Sequence, residues 1–132
     1  MRVSSWKYMG RSEVDTDCMY GLMLGKPDRK QYFQGLTQVT VEIEGRYHIF
    51  SLSRPNFWTT CPELRDTDLS SGETPIRDLL ARLNALTWKR GQPLHFELQP
   101  VGNGIFRLLL PPLRFHGEAA KPNQELPLAG PA

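Results

Sequence analysis

Long apolar runs are missing from this chain of 132 residues, and with them any segment of the roughly eighteen apolar residues that a membrane-spanning helix needs. Cysteine is scarce. Cys18 and Cys61 lie far apart with no CxxC spacing, which excludes a disulfide framework or a zinc ribbon of the usual kind. Nor does a basic start lead into a long apolar stretch, as it does in a secretory leader. These features together lead us to expect a cytoplasmic protein in which Cys61 is a small buried hydrophobe rather than half of a Cys18–Cys61 disulfide.

An excess of one charge is also lacking. Sixteen Lys and Arg face fourteen Asp and Glu, and the surplus is N-terminal: residues 1 to 35 carry six basic against four acidic, whereas residues 36 to 110 carry eight of each. A strongly basic nucleic-acid domain is therefore not indicated by charge alone. There is no internal repeat. The three histidines, His48, His95 and His116, have no HxxxH spacing and no CxxC nearby, so we expect no metal site. Gly102-Asn103-Gly104 lacks the Lys-Ser/Thr of a phosphate loop, and Asp15-Thr16-Asp17 reads as a solvated turn.

What is present is enough apolar material for a folded domain: 39% of the residues are hydrophobic and 10% are aromatic. In QVTVEIEGRYHIFSLS, residues 38 to 53, Val39, Val41 and Ile43 alternate with polar positions. Glu44-Gly45 then supplies a two-residue turn before the chain returns. That loop length sets Ile43 opposite Arg46, Val41 opposite His48 and Val39 opposite Phe50. Phe50 and Leu52 then join the inner face, and His48 points inward. Tyr47 and Ile49 are left on the other face, beside Thr40 and Glu42.

A second hairpin follows from Leu94, Phe96 and Leu98, a PVGNG turn, and the returning IFRLLL. Phe106, Leu108 and Leu110 are expected on one face, with Ile105, Arg107 and Leu109 on the other. Between the hairpins, ETPIRDLLARLNALTWKRG predicts a helix over 73–91. Thr74 stands at its N-cap, Pro75 in its first turn, and Gly91 at its stop. The expected architecture is α+β: a small antiparallel sheet of two hairpins, about four strands, with one main helix packed on one face. Residues 1–110 form this domain, with 1–35 as an N-terminal cover. The proline-rich residues 111–132 are expected to be an extended or disordered tail.

The run RPNFWTTCPELRD, 54 to 66, concentrates aromatics, a cysteine and charges. Pro62 breaks any continuous helix, so two short helical turns are expected, burying Phe57 or Trp58 with Cys61 and Leu64 and leaving Glu63, Arg65 and Asp66 wet. Cys61 as a nucleophile would need a histidine and an orienting group, which nothing local supplies. No residue set meets the needs of catalysis or of a cofactor, so the expectation leans away from an enzyme.

Two sets of residues suit a binding surface. The first is the open sheet face, where Tyr47, Ile49, Arg107 and Leu109 would contact another protein or a second copy of the chain, with Trp58 or Trp88 at an edge. The alternative is RNA or single-stranded DNA held by Lys26, Arg29 and Lys30 with Tyr32 and Phe33, cations interleaved with stacking platforms. The protein-binding reading leads.

Overall fold

The computed structural model describes residues 1–8 and 19–111. Seven strands form one sheet: β1 (Arg2–Tyr8), β2 (Met19–Met23), β3 (Gln38–Ile43), β4 (Arg46–Ser51), β5 (Glu63–Arg65), β6 (His95–Gly102) and β7 (Ile105–Leu109). Their spatial order is β4-β3-β7-β6-β1-β2-β5. Neighbours are antiparallel except β3 and β7, which run parallel. The helices are short: α1 (Lys26–Phe33) and α2 (Pro75–Arg82), with 3-10 turns at Pro55–Trp58 and Asp66–Asp68.

This corrects the expected four-stranded sheet with one main helix. Both hairpins form, and β3–β4 has the expected register, Ile43 facing Arg46 and Val39 facing Phe50. Glu44 and Gly45 both have positive φ, 52° and 83°, the conformation that a two-residue turn between twisted strands demands. The two hairpins join through the parallel β3–β7 contact, where Val41 lies beside Phe106. The N-terminal segment, expected as a cover, instead supplies β1 and β2, which lengthen the sheet at its side.

Strand β1 escapes a period-two reading because its inward positions are partly polar, whereas DCMYGLML shows weak strand-like alternation, with Tyr20, Leu22 and Leu24 buried. Val3, Ser5 and Lys7 share a face, yet only Val3 is apolar; Ser5 is buried with its hydroxyl accepting the Leu94 amide at 2.9 Å. In β2, Gly21 interrupts the pattern for a packing reason: a Cβ there would meet the Leu64 carbonyl oxygen at 2.5 Å and the Trp6 ring at 3.1 Å.

Helix α2 is less than half the expected length. Asn84 adopts φ 55°, and the amides of Asn84 and Ala85 bond back to the carbonyls of Ala81 and Leu80, which closes the helix in the left-handed capping pattern seven residues before Gly91. At the other end the Thr74 side chain caps no backbone amide; its hydroxyl donates to Asp78. Asp66 takes the capping role from a distance, accepting the amides of Ile76 and Arg77, each at 3.0 Å.

The sheet curls. The turn Asp66–Asp68, which follows the last strand on one side, touches both β2 and β4, the latter being the strand at the opposite end. One apolar cluster fills the concave side, drawing on the inner face of the sheet, Ile76, Leu79 and Leu80 of α2, and Phe33 of α1. Phe33 stacks on Phe106 with centroids 5.0 Å apart and leans on Phe57 at 6.0 Å. No helix among the described residues is long and apolar enough to cross a membrane.

Candidate functional site

On the convex side the strand registers set two rows of side chains across β4, β3 and β7. One row is Tyr47, Glu42, Arg107; the next is Ile49, Thr40, Ile105. Leu109 lies further along β7, opposite Glu97 of β6. Exposure is 66% for Tyr47, 53% for Ile49, 38% for Ile105 and 37% for Leu109, so the apolar surface is widest at β4 and narrows inward. Arg107 Nε donates to Glu42 Oε1 at 2.8 Å, which neutralises the centre of the face. Tyr47, Ile49, Arg107 and Leu109 thus come together as their alternation predicts.

Trp58 and Trp88 do not join them as free anchors. Trp58 is half-buried, its Nε1 donating to the Leu52 carbonyl at 2.8 Å and its ring packed edge-on against Phe57. Trp88, also half-buried, lies under the Lys7 ammonium, 5.1 Å from the ring centroid.

All five residues of the alternative, basic cluster lie on α1. Phe33 is wholly buried and offers no stacking platform. Arg29 is engaged by the carbonyls of Phe57, at 2.7 Å, and Thr59. Lys26 and Lys30 are exposed and Tyr32 is half-buried, so two cations and part of one ring remain of five residues. The helical segment KPDRKQYF buries only one side chain fully and thus showed no apolar stripe to reveal its geometry.

In residues 54–66, Phe57 and Leu64 are buried and Cys61 is half-buried, but only one of the two expected helical turns forms; the second half becomes β5. Glu63 and Asp66, expected to be wet, are buried. Glu63 Oε1 receives Arg65 Nε at 3.0 Å and Nη2 at 2.6 Å, and Arg65 itself stacks on Trp6 across Gly21. Arg54 is the keystone: its guanidinium reaches the carbonyls of Cys61 (3.3 Å) and Glu63 (2.5 Å), and also Asp68 (3.3 Å). No local sequence signal marks Arg54 or Asp66, because their partners arrive only when the chain folds.

The remaining chemistry is sparse. His48 is buried as expected, and burial lowers its pKa below the ordinary imidazole value; Glu73 pulls it upward and Arg46 downward. Its Nδ1 is 3.6 Å from Glu73, at the wall of a cleft of about 310 Å³. Two arginines face this cleft, but both have carboxylate partners, Arg82 with Glu44 and Arg46 with Glu73, and among the described residues no Ser, Thr or Cys lines it as a nucleophile. Cys61 Sγ meets the Thr60 hydroxyl at 3.6 Å and no histidine among the described residues. No group of three or more His, Cys, Asp or Glu among those residues is placed to hold a metal ion. Cys18, His116, Asp15-Thr16-Asp17 and residues 112–132 lie outside the described residues. The chain matches no protein-family model, no curated protein and no solved structure.

Proposed function

We propose that this chain is a non-catalytic binding module that docks another protein on the convex face of β4, β3 and β7. The observation that carries the reading is the pair Tyr47 and Ile49, the two most exposed large hydrophobic side chains described, side by side on one face with Ile105 and Leu109 behind them. An aromatic, an arginine and aliphatics around a neutralised ion pair match the make-up of an interface centre.

Burying Tyr47 and Ile49 contributes on the order of 3 kcal/mol, about a hundredfold in affinity. The double change Tyr47→Ser with Ile49→Ser should return the native complex to monomer size in light scattering, with thermal melting little altered because neither side chain supports the core. Raising salt from about 0.1 M to about 1 M should leave the wild-type complex intact, since screening acts on charges and not on apolar contact. A complex indifferent to the double change, or one dissolved by salt, sinks the reading.

A further inference from the structure

The two ends of the sheet are treated in opposite ways. At β5, the edge is blocked: the strand has three residues, Pro62 precedes it, and its outward backbone groups are occupied. Arg54 takes the carbonyls of Cys61 and Glu63, and Asp68 Oδ2 accepts the Arg65 amide at 2.9 Å. At β4, no described group bonds to the outward backbone, although the turn Asp66–Asp68 touches the strand. This strand has six residues, no proline, no lysine, and an unbroken register with β3.

The register also fixes where its backbone points. Closing the turn at Ile43 and Arg46 makes Val41/His48 and Val39/Phe50 the bonded pairs, a phase continued by the Leu52 amide on the Thr37 carbonyl. The intervening Thr40 turns its amide the other way, to the Gly104 carbonyl beside β7. Tyr47 and Ile49 therefore aim their amides and carbonyls off the edge of the sheet, where no described backbone group meets them. A depression of about 220 Å³ lies there, between Tyr47, Ile49 and residues Leu69, Ser70 and Ser71.

We propose that β4 pairs antiparallel with β4 of a second copy, joining two sheets across a two-fold axis at His48. This goes beyond the binding reading above: it uses the backbone edge of β4 rather than the convex face, and its partner is a second copy. A strand is the partner that meets two outward amides and two outward carbonyls at one spacing. The second copy fits because the strand is self-complementary: with the axis at His48, Tyr47 stands opposite Ile49 of the partner subunit, and the pairing repeats on the other side of the axis. Aromatic against β-branched is a favourable cross-strand pair. The two Arg46 side chains, the strand's only permanent charges, fall four residues apart along the ribbon, about 14 Å at strand rise, beyond the screening length at physiological salt. Four hydrogen bonds and two such pairs make a small, concentration-dependent interface.

The test is sedimentation of the purified full chain from about 10 μM to about 1 mM, the range where weak interfaces form, with amide hydrogen exchange read at both ends. The expected result is a monomer–dimer equilibrium and slowed exchange of the Tyr47 and Ile49 amides only at the high end. Ile49→Pro removes an outward amide and leaves the β3 ladder whole, and should raise the dissociation constant at least tenfold. Should that variant lose its fold by circular dichroism, Ile49→Lys guards the edge without touching the backbone and carries the same expectation. Ile105→Ser with Leu109→Ser, which alters the face but not the edge, should leave the dimer in place. A chain monomeric throughout overturns the proposal, as does a dimer that survives the edge variants or fails only with the β7 pair. None of these results bears on a complex with a different protein, which is read from the native complex.

Discussion

Asp66 is almost fully buried at the start of α2, and burial pushes its carboxyl up to about 6 from an ordinary value of 3.8; the Ile76 and Arg77 amides and the Arg77 charge pull down, and Asp78 adds to the rise. The sign of the consequence follows from linkage. The folded state holds its proton up to about pH 6, whereas the unfolded chain releases it near 3.8, so this group's contribution to stability is largest below about pH 4 and falls as pH rises to 6. Two pH units correspond to on the order of 3 kcal/mol. His48 acts with the opposite sign: its lowered folded pKa means that stability is gained as pH rises toward 6.5. Urea unfolding of wild type and Asp66→Asn between pH 4 and 7 separates them, because only the Asp66 contribution differs. The wild-type advantage should shrink by up to about 3 kcal/mol across that range; a constant difference would show that Asp66 does not titrate there. Residues of this kind were illegible in sequence. An acid two residues after a leucine in a charged run reads as solvated, and only the fold brings the start of α2, ten residues on, over its carboxyl.

Elements were legible where local chemistry alone decides them. The β3–β4 hairpin rests on a strict alternation and a turn that needs positive φ at two residues, both written in sequence. Helix α2 shows the limit: its apolar stripe is real, with Ile76, Leu79 and Leu80 buried, but its end is set by one left-handed asparagine within an otherwise helical pattern. A branched side chain there is strained, so Asn84→Val should lower unfolding free energy by about 1 to 2 kcal/mol, whereas Asn84→Gly should be neutral or stabilising by a few tenths. Denaturant midpoints at constant slope would check both. If valine were tolerated and the far-ultraviolet helix signal rose, α2 would have extended toward Gly91, and the cap would not be what stops it. Strands β1 and β5 stayed hidden, and β2 showed only a weak alternation, for another reason. The inward positions of β1 include Ser5 and Lys7, β5 has three residues, and Gly21, which interrupts β2, is there for the close approach of Trp6 and Leu64.

For the whole molecule, the strand order depends on contacts between distant segments. The parallel β3–β7 pairing joins residues more than sixty positions apart and leaves no local trace, which is why two hairpins could be read but not the sheet containing them. The candidate face survived this gap because alternation within each hairpin decides which side chains turn outward, whatever the strand order. A long curled sheet has two edges, and Arg54 is what closes one. Its side chain is largely buried and holds the carbonyls of Cys61 and Glu63 together with Asp68, so Arg54→Ala removes a charged donor from the Glu63 carbonyl and leaves the Asp68 carboxylate with only the Arg65 amide among the described residues, at a cost of about 3 kcal/mol or more. The same change exposes the outward carbonyls of Cys61 and Glu63, so the variant should also form larger species in light scattering at concentrations where wild type is at most a dimer. Arg54→Lys separates charge from geometry. An ammonium retains the positive charge near Asp68 but lacks the planar fork that reaches both carbonyls at once, so it should recover part of the stability and little of the protection against assembly. If lysine restores both completely, charge alone secures this end of the sheet, and the account of Arg54 as the cap of its edge is wrong.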